Sequence, residues 1–185
     1  MGRLYWILTS LVLAVAVHAA YVLTAPAQAL KRSMADLVAD AGVNTFFIVP
    51  PKGQARLFPS YPPAHVFGAC AFDVGGSRVD IIATLPDDLW TLTIYTASGD
   101  ALYTLNDIQS GTGRFTVSLS LAPSLLEMLS MAGGDDAIST TGWDVKTAEP
   151  TGLAVFWIPV REEAMRPGVI RRLSETACRA GAAAS

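Results

Sequence analysis

Carboxylates are the commonest groups able to do chemistry beyond the N-terminal segment. Asp87 and Asp88 are adjacent, as are Asp135 and Asp136, while Asp100 and Asp107 flank a short apolar run. Paired acids can divide acid and base roles on a glycosidic bond, or hold calcium through oxygen ligands. Neither calcium-loop spacing nor a defined carboxylate geometry can be read here, and turns that expose acids to water account for them. Trp143, in Gly142-Trp143-Asp144, is an aromatic on which a sugar or peptide could stack. Trp143 with Asp135 and Asp136 is therefore the candidate ligand-binding set.

Of the two histidines, His18 lies in an apolar run, which leaves His65 as the only imidazole for a hydrolase to recruit. His65 follows Pro62-Pro63 and reads as an exposed loop residue. Metal sites need clustered Cys, His or carboxylate ligands at suitable spacing, and no such spacing occurs, so we expect neither metal nor cofactor. There is no phosphate-binding glycine loop, dinucleotide fingerprint or nucleophile elbow. No catalytic residue set emerges, and the expectation is a non-catalytic protein.

The two cysteines, Cys70 and Cys178, are far apart. In an oxidising compartment they would bridge; in a reducing one they would be two buried thiols acting as small hydrophobes. Both readings stay open at this point.

What must position these groups begins with the first two dozen residues. The run that opens at Leu4 and closes at Leu23 carries no ionisable side chain of acid or base except His18, with Tyr5 and Trp6 at one end and Tyr21 at the other. About 20 helical residues span about 30 Å, the thickness of a bilayer's hydrocarbon core, and tyrosine and tryptophan favour its interfaces. The competing reading is a removable signal, since Ala27-Gln28-Ala29 has the small-x-small form of a cleavage site. Signal cores usually run about 7–15 residues, however, so we read a retained anchor over residues 1–25 that meets lipid through Leu4 to Leu23. Arg3 before it and Lys31 and Arg32 after it set orientation only weakly. The expected arrangement is a single pass through the inner (cytoplasmic) membrane, with the domain on the periplasmic or outer side.

Residues 26–42 read as a juxtamembrane helix. Leu30, Met34, Leu37, Val38 and Ala41 recur at helical spacing, with Pro26 at its start and Gly42 at its exit. It could lie on the bilayer, pack on its own domain or meet a partner. Residues 43–185 form one domain. The formal net charge of −3 offers no attraction to nucleic acid. Arg161, Arg166, Arg171, Arg172 and Arg179 are interleaved with Glu162, Glu163 and Glu175, as on a solvated helix face.

Within this domain, residues 45–49 read as a strand and the proline-rich stretch 50–63 as an extended crossover. Period-two alternation then predicts strands through Val79, Ile81 and Ala83, through Trp90, Leu92 and Ile94, and through Phe115, Val117, Leu119 and Leu121. Ser98-Gly99 suits a hairpin turn, and Gly111-Thr112-Gly113 a second, which together imply an antiparallel meander. Ser124 and Glu127 have capping-box spacing for a helix. Residues 152–160 read as a strand buried on both faces. After Pro167 a helix is expected to carry Ile170, Leu173, Ala177 and Cys178 on one side. Trp90 and Trp157 read as core. The fold class is mainly β with peripheral helices, a β-sandwich or open barrel, plus one N-terminal transmembrane helix.

Cys70, Phe72 and Asp73, then Pro86, Asp87 and Trp90, then Gly99 and Asp100, then Leu105, Asn106 and Asp107 follow an ordered motif series, with Cys178 late in the chain. In this the sequence resembles the short, single-span members of the bacterial domain-of-unknown-function family 1254. It departs from that pattern at Gly75-Gly76-Ser77-Arg78. The resemblance implies a β-sandwich-like domain and transfers no functional residue. Longer relatives join this domain to a second, family 1214, so the resemblance also implies a separately encoded companion membrane protein. Function is thus expected to be association in the cell envelope. The alternatives are a small-ligand or glycan binding module and, behind it, a hydrolase.

Overall fold

The computed structural model describes residues 2–57, 64–123 and 142–181, without the side chains of 26, 27 and 55–57. Helix α1 runs unbroken over Gly2–Ala41. Its N-terminal half is fully exposed and has a mean hydropathy of 2.1, long and apolar enough to cross a membrane. Pro26 does not begin a second helix but lies within this one. A proline removes one helical hydrogen bond, whereas stopping and restarting there would leave up to about eight backbone groups without helical partners. The helix ends as expected at Gly42, whose φ of 90° is open to glycine at no steric cost.

The rest is two stacked sheets. Strand β1 (Thr45–Val49), helix α2 (Pro51–Leu57), strands β2 (His65–Asp73), β3 (Val79–Thr84), β4 (Thr91–Thr96) and β5 (Ala101–Asn106), helix α3 (Asp107–Ser110), strands β6 (Arg114–Leu121), β7 (Trp143–Thr147) and β8 (Thr151–Pro159), a 3-10 turn (Glu163–Met165), helix α4 (Arg166–Leu173) and strand β9 (Ala177–Ala180) follow in order. One sheet has the order β1-β2-β8-β4-β5 and the other β7-β6-β3-β9. The mainly β architecture is as the sequence reads.

Connectivity is richer than a meander. β4 and β5 form the expected hairpin, with Gly99 at φ 99°. β6 does not continue it but returns to the other sheet beside β3, and β7 pairs with β6 in parallel. Apolar residues on one face of every strand must meet a second apolar layer, and changing sheets supplies one. Cys70, Phe72, Ile81, Leu92, Ile94, Val117, Leu119, Phe156 and Ile158 fill that interior, with Trp90 stacked on Phe115 at 5.0 Å.

β8 is buried on both faces for a reason lying outside the sandwich. Its Leu153 and Val155, with Phe67, Ala69 and Ala71 of β2, point away from the interior and are covered by Leu30, Met34, Leu37 and Val38 of α1. Of the three options for this helix segment, packing on its own domain is the one adopted. Trp157 lies on this outer layer, half-buried, rather than between the sheets.

Two further expectations change. The proline-rich stretch is partly helical: Pro51 opens α2, where a missing N–H costs nothing, and the buried Gln54 Nε2 donates to the Val49 carbonyl at 3.0 Å. The helix after Pro167 stops at Leu173, and Ala177 and Cys178 belong to β9, paired with β3. There Cys178 is joined to Cys70 of β2 by a disulfide that ties one sheet to the other. The expected helix at Ser124 and Glu127 lies outside the described residues.

Candidate functional site

Several residues of the motif series hold turns, while Cys70, Phe72, Trp90, Leu105 and Cys178 are buried in the core. Asn106 caps α3 by accepting from the Gln109 N–H at 2.8 Å, while the Gln109 side chain accepts from the Asn106 N–H at 3.2 Å, a complete capping box. Asp73 N–H donates to Asn44 Oδ1 at 2.8 Å, and Asp73 Oδ1 accepts from Gly75 N–H at 2.8 Å. At the β4–β5 hairpin, the Asp100 N–H donates to Thr96 Oγ1 at 3.2 Å. Ser98 donates through Oγ and N–H to Glu149, at 2.6 and 3.0 Å. The Ser98 hydroxyl is the main cause that holds the Glu149 carboxyl below its ordinary range, with Lys31 of α1 adding a weaker attraction.

Trp143 is half-buried in β7, its ring edge-on to Phe115 at 5.5 Å. It belongs to the wall of the interior rather than to an open stacking surface. Asp135 and Asp136 lie outside the described residues. His65 is not in a loop: it is the first residue of β2, and its ring stacks on Trp157 at 4.7 Å.

The acids that the fold brings together are Asp87, Asp88 and Asp107. They line an open cleft of about 620 Å³ at the strand ends where β3 stops and β4 and β6 start. One wall is the β3–β4 connection, with Pro86, Leu89 and Trp90. The other is α3 and the turn behind it, with Ile108, Gly111 and Gly113; Arg161 after β8 closes the rim. The walls are pinned together by the Leu85 N–H, which donates to the Gly113 carbonyl at 2.7 Å. A side chain at Gly113 would collide with the Leu85 carbonyl.

Charge in the cleft is unevenly matched. Arg161 pairs with Asp88 at 3.0 Å. No ion pair engages Asp87 or Asp107 among the described residues, and Asp107 Oδ1 is buried with no hydrogen-bond partner. Two large apolar side chains stand out in water beside them, Ile108 at 85% and Leu89 at 43% exposure. Among the described residues no group of three metal-binding side chains converges. The sequence pointed to Asp87 and Asp88 as an adjacent pair and to Asp107 as a flank of the hairpin strand, gave Arg161 only as part of a solvated helix face, and carried no signal for Ile108.

No protein-family model matches the chain, and no curated protein matches it. Among solved structures, the crystal structure of the VPA0106 protein from Vibrio parahaemolyticus is similar over 85% of this chain, with a TM-score of 0.58 and 10% identity. A protein from Burkholderia cenocepacia is similar over 80%, with a TM-score of 0.49 and 12% identity. This chain spans 37% and 38% of the lengths of those two. The Vibrio likeness is one of fold.

Proposed function

We propose that this protein is a single-pass envelope protein, anchored in the inner membrane with its β domain on the periplasmic side. In this reading it works by association with a companion membrane protein rather than by catalysis. The observation that carries the proposal is the dual use of α1. One half of this helix is apolar and bare, and the other half is packed through Leu37 into the outer face of a sheet. A helix so joined to its domain holds that domain in a set orientation to whatever embeds the bare half. The Cys70–Cys178 disulfide supports an oxidising compartment.

The motif series resembling family 1254 supports a companion, and so does the Vibrio neighbour, where this fold occupies about a third of a longer chain. Trp143 is packed and His65 is stacked, so the glycan and hydrolase readings gain no support from them.

Two measurements test the proposal. A C-terminal reporter that is active only outside the cytoplasm is expected to be active, and activity confined to a cytoplasmic reporter would refute the orientation. Mild-detergent purification at native expression is expected to retain a second membrane protein in fixed ratio; a solitary monomer would refute the association.

A further inference from the structure

The apolar half of α1 holds one polar side chain that its own helix does not satisfy. The hydroxyls there turn back on the backbone: Thr9 donates to the Tyr5 carbonyl at 2.9 Å, Ser10 to that of Ile7 at 3.0 Å and Thr24 to that of Ala20 at 2.8 Å. No hydrogen bond engages the exposed His18 among the described residues. At about 1.5 Å per residue, His18 lies about 8 Å along the helix from Leu23, inside the apolar run. Helical side chains lean toward the N-terminus, so the imidazole is carried toward the middle of a bilayer and away from the nearer interface. Ring nitrogens left bare in hydrocarbon are costly, and lipid tails offer them no partner.

Position around the helix narrows the occupant. Ala14, His18, Tyr21, Ala25 and Gln28 recur at alternating spacings of four and three, the seam along which helices wind together. Leu30, Met34, Leu37 and Val38, which pack on the sheet, lie on the other side of the helix. At about 100° per residue their centre is about 145° round from His18, so the domain leaves the seam open. Ala14 and Ala25 flank His18 with small side chains that let two backbones approach.

A second copy fits this seam by symmetry. Two chains inserted by the same segment run parallel, and each seam residue then meets its own counterpart. A neutral imidazole suits that meeting, because it carries one donor and one acceptor nitrogen. Beyond the membrane, the exposed Lys31 and Asp36 flank the seam at positions whose opposite charges meet across a parallel pair. Arg32 continues the seam there, on a stem long enough to carry its charge out to water.

We infer that α1 pairs in parallel with α1 of a second copy along Ala14, His18, Tyr21, Ala25 and Gln28, with one His18 N–H donating to the other His18 ring. The imidazole site is incomplete without that second copy. The inference rests on the anchored reading of α1 and not on the companion protein, which would meet a pair of these chains.

The test uses the full chain in native membranes at native expression. Ala14→Cys or Ala25→Cys places one cysteine on the seam, and Ala16→Cys or Ala20→Cys places one on the far side of the helix. Copper phenanthroline oxidation is expected to join the seam variants into a species of twice the chain mass and to leave the far-side variants single. Mass spectrometry is expected to find each seam cysteine bonded to the same cysteine of another copy. Adding His18→Leu to Ala14→Cys is expected to lower the dimer about fivefold, as loss of an interhelical hydrogen bond in a membrane does. Adding His18→Asn instead keeps a donor and an acceptor and is expected to restore most of the dimer. His18→Leu makes the segment more apolar, so insertion persists. Equal crosslinking on both sides, a crosslink only to another protein, no crosslink, or a dimer unmoved by His18→Leu overturns the inference. Full-length chain retained in the membrane fraction without the dimer keeps the anchored reading and removes the pairing alone; chain recovered only from the soluble fraction removes both.

Discussion

At the scale of single residues, close packing of small side chains decides more than the reactive groups do. Gly152 in β8 lies where a Cβ would overlap the Phe72 ring and the Tyr95 carbonyl, one on the neighbouring strand β2 and the other on β4. Neither obstacle is the free end of a flexible chain. Gly152→Ala is therefore expected to destabilise the domain by about 2–3 kcal/mol, measured by denaturant unfolding of the detergent-solubilised protein. Glu149 gives a residue-scale effect of opposite character. Its folded pKa is depressed below the ordinary 4.5, chiefly by the Ser98 hydroxyl. Its contribution to stability is therefore present above the unfolded value and is lost as pH falls through the lower folded one. Glu149→Gln should be less stable than the parent at about pH 7, and the gap should narrow as pH falls below 4.5 and through the lower folded value. A gap that stayed constant across that range would show that the carboxylate charge plays no part in holding the hairpin.

At the scale of elements, α1 joins the packed body through one buried side chain above all. Leu37 is 2% exposed, and it is seated with Met34 and Val38 on Phe67, Ala69 and Val155. Leu37→Ala should cost about 2–4 kcal/mol, as buried leucine truncations do. Arg32→Ala, on the exposed side of the same helix, should change stability by less than about 0.5 kcal/mol. Equal effects from both would mean that the helix does not pack on the sheet in solution. The β6 alternation was readable residue by residue, because Phe115, Val117 and Leu119 face the interior and Thr116, Ser118 and Ser120 do not. β9 was not readable: four residues are too few for period two to outweigh the helical spacing of Leu173, Ala177 and Cys178. Backbone pairing with β3 prevailed there.

At the scale of the whole molecule, the disulfide and α4 close the sandwich. β2 and β9 belong to different sheets, and Cys70 with Cys178 links them across 108 residues of sequence. In the chain-entropy account a loop of that length stabilises by about 4–5 kcal/mol. The double substitution Cys70→Ala with Cys178→Ala should lower the unfolding free energy by that order, and reductant should move the parent toward the variant. Two cysteines that react with a thiol reagent in the native, unreduced protein would remove the bridge from this account. Val169 and Leu173 of α4 fill the interior beside it, and Gly68 leaves room for Phe46 and Leu173 to approach.

What the sequence determined by itself was whatever depends on local period and composition. A run of residues averse to water at the start, the strands alternating at 79–83 and 115–121, the Ser98-Gly99 turn and a strand buried on both faces all follow from neighbours in the chain. Only tertiary structure decided which layer covered the second face of β8, because the covering residues, Leu30 to Val38, are more than 100 positions away. The same holds for the cleft. Asp87, Asp107, Ile108 and Arg161 are unremarkable one by one, and they become a charged and apolar hollow because three separate connections end at the same edge of the sandwich.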